Sequence, residues 1–149
     1  MQAVNYDDGN VRIWTYGDER KCVATVQVFT QLAADEANLC RLTWHPSGDR
    51  IAVGGGKEVA VIDRATWSVT TTLKNEHKEP VSLVAWSPSG HYIATCDMAG
   101  VAIIWQWNNK EATAECIDKH KHASRITGIA WSPVDNFIAL VRTKPTPLF

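Results

Sequence analysis

The side chains with the most chemistry to offer lie in one short run, Lys119-His120-Lys121-His122-Ala123-Ser124-Arg125. Clustered cations can neutralise phosphates or dock an acidic partner, and Lys119, Lys121 and Arg125 are the residues such a contact would use. The plainer reading of 118–125 is a solvated loop, since exposed charge runs are usually that. His120 and His122 do not make a metal site by themselves, because zinc needs further ligands that a loop of this kind lacks.

The other reactive residue types are scattered. Gly54-Gly55-Gly56-Lys57 lacks the later Gly-Lys-Ser/Thr that opens a helix in a phosphate-binding loop, and a strand follows it instead. Asp35 and Glu36 are paired carboxylates in a loop, with no partner across a cleft. Cys22, Cys40, Cys96 and Cys116 form no Cys-x-x-Cys pair. Each lies in or beside an apolar strand, so they read as small hydrophobes of a reducing compartment. No activated nucleophile with an orienting third group accompanies a histidine. The expectation is a protein that is not an enzyme and carries no cofactor and no metal.

The bulk properties agree with a globular domain. The chain has 149 residues, is 45% hydrophobic and 21% charged, and has a net charge of −1. No global field would draw it to nucleic acid, so DNA contact would have to come from a local patch and would be weak. No apolar run approaches the roughly 20 residues that span a bilayer. Neither a signal peptide nor dense cysteine spacing is visible. A soluble intracellular protein, with no membrane contact, is expected.

The elements that must position these groups follow from a repeat. Arg41-Leu42-Thr43-Trp44-His45-Pro46-Ser47-Gly48 recurs as Leu83-Val84-Ala85-Trp86-Ser87-Pro88-Ser89-Gly90 and as Gly128-Ile129-Ala130-Trp131-Ser132-Pro133-Val134-Asp135. Each is an apolar strand, a tryptophan, a turn and then a second strand. The tryptophans are 42 and 45 residues apart. A period of about 40–45 residues built from short strands marks a β-propeller of the WD-repeat type.

Residues 1–6 show no pattern. Asp8-Gly9-Asn10-Val11-Arg12-Ile13-Trp14 reads as a tight turn feeding the third strand of a blade whose first two strands are missing, and 21–28 as its outermost strand. The stretch 29–38 reads as a loop with one unstable helical turn. Residues 39–80 and 81–125 make two complete blades, and 126–149 begin another before ending in an irregular tail with Pro145 and Pro147. The fold class is therefore all-β: a partial WD40-type propeller of about three blades of four antiparallel strands, forming an open arc across 1–149, with 1–38 the end of one blade. Both ends of such an arc expose apolar edges, so the isolated chain should be poorly stable or self-associating. A closed assembly with another copy is the alternative, with no sequence feature in its favour.

The repeat also assigns the aromatics. Trp44, Trp86 and Trp131 close inner strands, Trp14 and Trp105 lie in third strands, and all five read as packing between blades. Trp67 and Trp107 fall off the pattern and are expected to be partly exposed. In many WD repeats a link histidine and a turn aspartate share a bracing network. Asp8 holds the turn position before Trp14, but Ala99 holds it before Trp105. His77 would then lose its acceptor unless Asp97 substitutes, and the second complete blade should be weakly braced.

In order and wording, Asp8–Trp14, Leu39–Pro46, Arg64-Ala65-Thr66-Trp67-Ser68, Val84–Ala94 and Ile126–Pro133 resemble the amino-terminal propeller of the WD repeat and HMG-box DNA-binding protein family. The resemblance spans about residues 7–140. It implies a fragment of a nuclear, chromatin-associated replication adaptor that bridges the replicative helicase and the primer-making polymerase. A family trimerising region and HMG box lie outside the matching residues, and the Pro-rich tail departs from the family continuation. A WD-repeat scaffold of an unrelated cytoplasmic signalling or trafficking complex is the other reading.

Overall fold

Strands rich in Val, Ile and Thr, punctuated by Gly, Asp and Pro turns, fold into successive antiparallel sheets. The computed structural model describes residues 2–5, 9–33, 36 and 41–144. The first sheet is β1 (Gln2–Asn5), β2 (Asn10–Trp14) and β3 (Cys22–Gln27). The second is β4 (Arg41–Trp44), β5 (Arg50–Gly55), β6 (Glu58–Asp63) and β7 (Ser68–Leu73). The third is β8 (Val81–Trp86), β9 (Tyr92–Asp97), β10 (Val101–Asn108) and β11 (Thr113–Lys121). The fourth is the pair β12 (Ile126–Trp131) and β13 (Ile138–Arg142). Every strand pairs antiparallel with its neighbours in the same sheet, and the first strands β4, β8 and β12 lie against one another in series. The chain is a partial propeller, an open arc of blades.

Burial follows position in each blade. β5 and β9 are buried on both faces, with Ile51, Val53, Ile93 and Cys96 fully inaccessible. The outermost strand β7 alternates exposed and half-buried residues, as a strand with one solvated face must. One core cluster joins the first and second sheets through Val11, Ile13, Ile51 and Ile62. A larger one joins the second and third through Val59, Val61, Ile103 and Trp105. A small one, around Cys96, Ala102 and Ile126, joins the third and fourth.

The structure departs from the sequence reading at several places. Residues 2–5 are a strand: Gln2 pairs with Trp14 and Asn5 with Val11, so the first blade has one of the two strands thought missing. Four residues are too few for a side-chain period to register, and the edge of β2 specifies the strand through its backbone groups. Gly54 and Gly55 belong to β5, and the turn begins at Gly56. Their role is close approach: a Cβ on Gly55 would collide with the ring of Phe29, which closes the first core cluster. β11 continues through Lys121, so Lys119, His120 and Lys121 lie on a strand and not in a loop. Their backbone pairs with Ile103, Ala102 and Val101. Asp8, Cys40, the middle of 29–38 and the tail from Pro145 lie outside the described residues.

Candidate functional site

The most complete polar constellation is built on two strands of the third blade and the link before it. His77, Thr95 and Asp97 are all buried. His77 Nδ1 lies 3.0 Å from Oδ2 of Asp97, and its Nε2 lies 2.7 Å from Oγ1 of Thr95. Trp105 Nε1 donates to that same hydroxyl at 2.9 Å. The other carboxylate oxygen of Asp97 accepts the amides of Ala99 and Val101, each at 3.0 Å. A carboxylate only accepts, so Nδ1 carries the proton and Nε2 accepts from Thr95. Burial holds the His77 pKa below its ordinary value, against the opposing pull of Asp97, so the pair is a hydrogen bond between a neutral imidazole and a carboxylate.

The second complete blade is therefore fully braced, contrary to the expectation drawn from Ala99. Asp97, at the end of β9, supplies the acceptor two residues before the turn position. Both imidazole nitrogens are committed, which leaves this group structural.

A second constellation was not legible as a motif. In the β4–β5 turn, His45 is buried with Nδ1 2.6 Å from the Ser47 hydroxyl and 3.3 Å from Oδ1 of Asp49. The residue types are those of a hydrolase triad, but the order is wrong. The hydroxyl, not the imidazole, stands in the middle, donating to Asp49. His45 Nε2 donates inward to the Gly90 carbonyl at 3.2 Å. Although partial burial opposes it, the hydrogen bond from the Ser47 hydroxyl and the nearby Arg50 guanidinium hold the Asp49 carboxyl below its ordinary value. The signal that could have found His45 is a departure from the internal repeat, because the other two turn phrases carry Ser87 and Ser132 there.

The repeat tryptophans lie at blade junctions. The ring of Trp86 meets His45 edge-on at 4.7 Å and Trp107 at 5.4 Å. Trp131 stacks on Tyr92 at 6.2 Å and donates to the Ala85 carbonyl at 3.2 Å, tying the fourth sheet to the third. Trp105 is buried in its network, and Trp44 is half-buried against the first core cluster. Trp14 is half-buried. Trp107, expected to be partly exposed, is 3% exposed because the Arg50 guanidinium lies 5.6 Å over its ring and Trp86 closes its edge. Trp67 is half-buried in a left-handed turn, φ 49°.

The cationic run does not converge. Lys119 donates to the Glu76 carbonyl at 2.6 Å and lies 3.4 Å from its carboxylate. Lys121 donates to the Ala99 carbonyl. Arg125, on the next link, has its own carbonyl bonded by the Thr143 amide at 3.2 Å. His120 lies 3.3 Å from the Asp118 carboxylate. Among the described residues, no group of three or more His, Cys, Asp or Glu is placed to hold a metal, and no helix is long and apolar enough to cross a membrane.

Residues 42–132 match the protein family described as the anaphase-promoting complex subunit 4 WD40 domain. The chain belongs to this WD40 family. It is 33% identical over 124 residues to WD repeat and HMG-box DNA-binding protein 1 of Xenopus laevis, covering 80% of this chain and 11% of that protein. It is 25% identical over 153 aligned positions to the chromatin assembly factor 1 subunit FAS2 homolog of Oryza sativa subsp. japonica, covering 97% of this chain and 30% of that one. The chain thus spans about a tenth and about three tenths of these relatives. Among solved structures it resembles the Cps50 (Swd1) β-propeller domain of Myceliophthora thermophila, at TM-score 0.60 and 18% identity, over 70% of this chain and 31% of that one. This WD40 arc is a repeat scaffold related to chromatin proteins.

Proposed function

We propose that this WD40 chain is a non-catalytic interaction scaffold, part of a chromatin-associated DNA replication adaptor that links the replicative helicase to the primer-making polymerase in the nucleus. The observation that carries this reading is the 33% identity to WD repeat and HMG-box DNA-binding protein 1 across 80% of the chain. The chromatin assembly factor similarity supports the same compartment. A scaffold role fits a molecule whose two buried histidine constellations are spent on bracing blades. Proteins are the main partners on this reading. Lys119, Lys121 and Arg125 add at most a weak contact to an acidic partner or a phosphate backbone, since both lysine ammonium groups already hold oxygens of this chain.

The test is affinity capture of the tagged full chain from nuclear and cytoplasmic extracts. Recovery of replicative helicase or primer-making polymerase subunits is the expected result. Partners drawn only from cytoplasmic signalling or trafficking complexes would overturn the replication reading in favour of a scaffold of that second kind.

A further inference from the structure

The second and third sheets are both four-stranded, and the internal repeat gives the residues of the junction between them counterparts at the next junction along. Trp86 and Trp131 are counterparts. So are Arg50 and Tyr92, each six residues past the tryptophan of its own phrase. His45 stands where the third blade has Ser87.

Between the third and fourth sheets the aromatic pair is satisfied. Trp131 stacks on Tyr92 with the ring planes 21° apart, and its indole N–H donates to the Ala85 carbonyl at 3.2 Å. By the repeat, the matching acceptor for Trp86 is the Thr43 carbonyl. That bond is not made: Trp86 Nε1 is buried and meets no acceptor among the described residues. The imidazole of His45, far bulkier than a serine hydroxyl, stands perpendicular to the Trp86 ring at 4.7 Å. Trp107 stands perpendicular to it at 5.4 Å.

Arg50, the counterpart of the stacked Tyr92, is in the same position. Its Nη1 donates to Asp49 Oδ2 at 3.1 Å, and its guanidinium lies 5.6 Å over the Trp107 ring. Its Nε is buried and meets no acceptor among the described residues. The Arg50 side chain is 14% exposed and Trp86 6%. Both groups are donors only. The nearby acceptors are already engaged. Asp49 takes the Ser47 hydroxyl and Arg50 Nη1, and the Gly90 carbonyl takes His45 Nε2. Two buried donors at the counterpart places of a touching pair, in one junction, call for an acceptor from outside the chain.

We propose that this junction binds one small acceptor from solution, a water oxygen or a halide ion, held by Trp86 Nε1–H and Arg50 Nε–H together. The two sources share the chemistry the site asks for, a single acceptor atom compact enough for a close-packed junction. His45 creates the site by holding the Trp86 indole off the Thr43 carbonyl. Arg50 completes it by standing where the next junction has an aromatic ring. The guanidinium charge strengthens the bond to either acceptor. The bound atom ties β5 to β8, a task that the next junction gives to a direct indole-to-carbonyl bond. This inference does not depend on which proteins the scaffold binds.

Solution NMR of the nitrogen-15-labelled full chain tests it. The Trp86 indole resonance is the one that Trp86→Phe removes. With water as the acceptor, the Trp86 Nε1 and Arg50 Nε protons should both show a cross-peak to water, of the sign that separates a bound molecule from proton exchange. With a halide, both should instead shift to a saturating end point when chloride is exchanged for bromide at constant ionic strength. The thermal midpoint should then rise with halide concentration. The double variant His45→Ser/Arg50→Tyr gives this junction the residues of the next one. It should lose either signal, while the indole resonances of Trp14, Trp67 and Trp131 stay in place. Neither signal in the native chain, a response from only one of the two protons, or signals that persist unchanged in the folded double variant would each overturn the proposal. So would an upfield-shifted Trp86 indole proton, which would make the face of Trp107 its acceptor. The native-chain readings decide the matter even if the double variant does not fold.

Discussion

Asp97 accepts the Nδ1 proton of His77 across 3.0 Å in a site where neither side chain reaches solvent. The same carboxylate fixes the β9–β10 turn through the amides of Ala99 and Val101. One residue therefore joins the link before the blade to the turn within it. Asp97→Ala would orphan the imidazole proton and both amides, at about 1–3 kcal/mol for each buried group left unpaired. Urea melts should show a large drop in the midpoint for Asp97→Ala and a smaller one for Asp97→Asn, which keeps an acceptor. Equal midpoints for the two variants would mean that the acceptor is irrelevant.

The same network makes stability depend on pH. Burial depresses the folded-state pKa of His77 below the ordinary 6.5, so the unfolded chain binds the proton more readily. The stabilisation is complete above about pH 6.5 and is lost progressively as the pH falls below it. The depressed Asp49 carboxyl acts in the same direction, but only as the pH falls through its ordinary 3.8 and lower, so the two windows separate. Melts between pH 8 and pH 5 should lose stability on the acid side. Replacing His77 with Gln, which cannot titrate, should flatten that slope while lowering stability at every pH. A wild-type midpoint that stays level through this range would contradict the assignment.

The blade order is legible because each Trp-Ser-Pro or Trp-His-Pro phrase couples an apolar strand to a turn, and both signals are local. What escapes is specified by distant neighbours. Asp97 reads as the end of a strand, and only the fold shows His77 arriving above it. Lys119 and Lys121 read as a loop because charge hides strand character, yet Ile103 and Val101 provide a paired edge that carries β11 through them. Gly54 and Gly55 read as a turn until Phe29 and Val81 are seen to need the space. Trp107 breaks the repeat in sequence and is buried because Arg50, from another blade, covers it.

Gly90 illustrates the same dependence and can be dissected. Its φ is +72°, and a Cβ there would collide with Nε2 of His45. Gly90→Ala therefore adds a left-handed backbone cost of roughly 1–2 kcal/mol to a steric clash with the adjacent turn. In a His45→Ala background the clash is gone and only the backbone part remains. A double-mutant cycle should give a coupling of about 0.5–3 kcal/mol, with the glycine substitution milder when His45 is absent. Strict additivity would show that the two turns do not meet in solution.

Thiol chemistry separates the cysteines by position. Cys22 is exposed on β3, whereas Cys96 is buried against the fourth sheet. Burial, reinforced by the neighbouring Asp97 charge, pushes the Cys96 thiol up to about 12. Burial and the Glu76 carboxylate also raise the Cys116 thiol. Since the thiolate is the reacting species, a maleimide or iodoacetamide pulse on the folded chain should modify Cys22 first and Cys116 more slowly. Cys96 should label only when the blades open, so its rate reports unfolding of the third sheet from the fourth. Peptide mapping by mass spectrometry reads the order directly. A Cys96 rate that matches that of Cys22 under native conditions would mean the fourth sheet does not cover that wall.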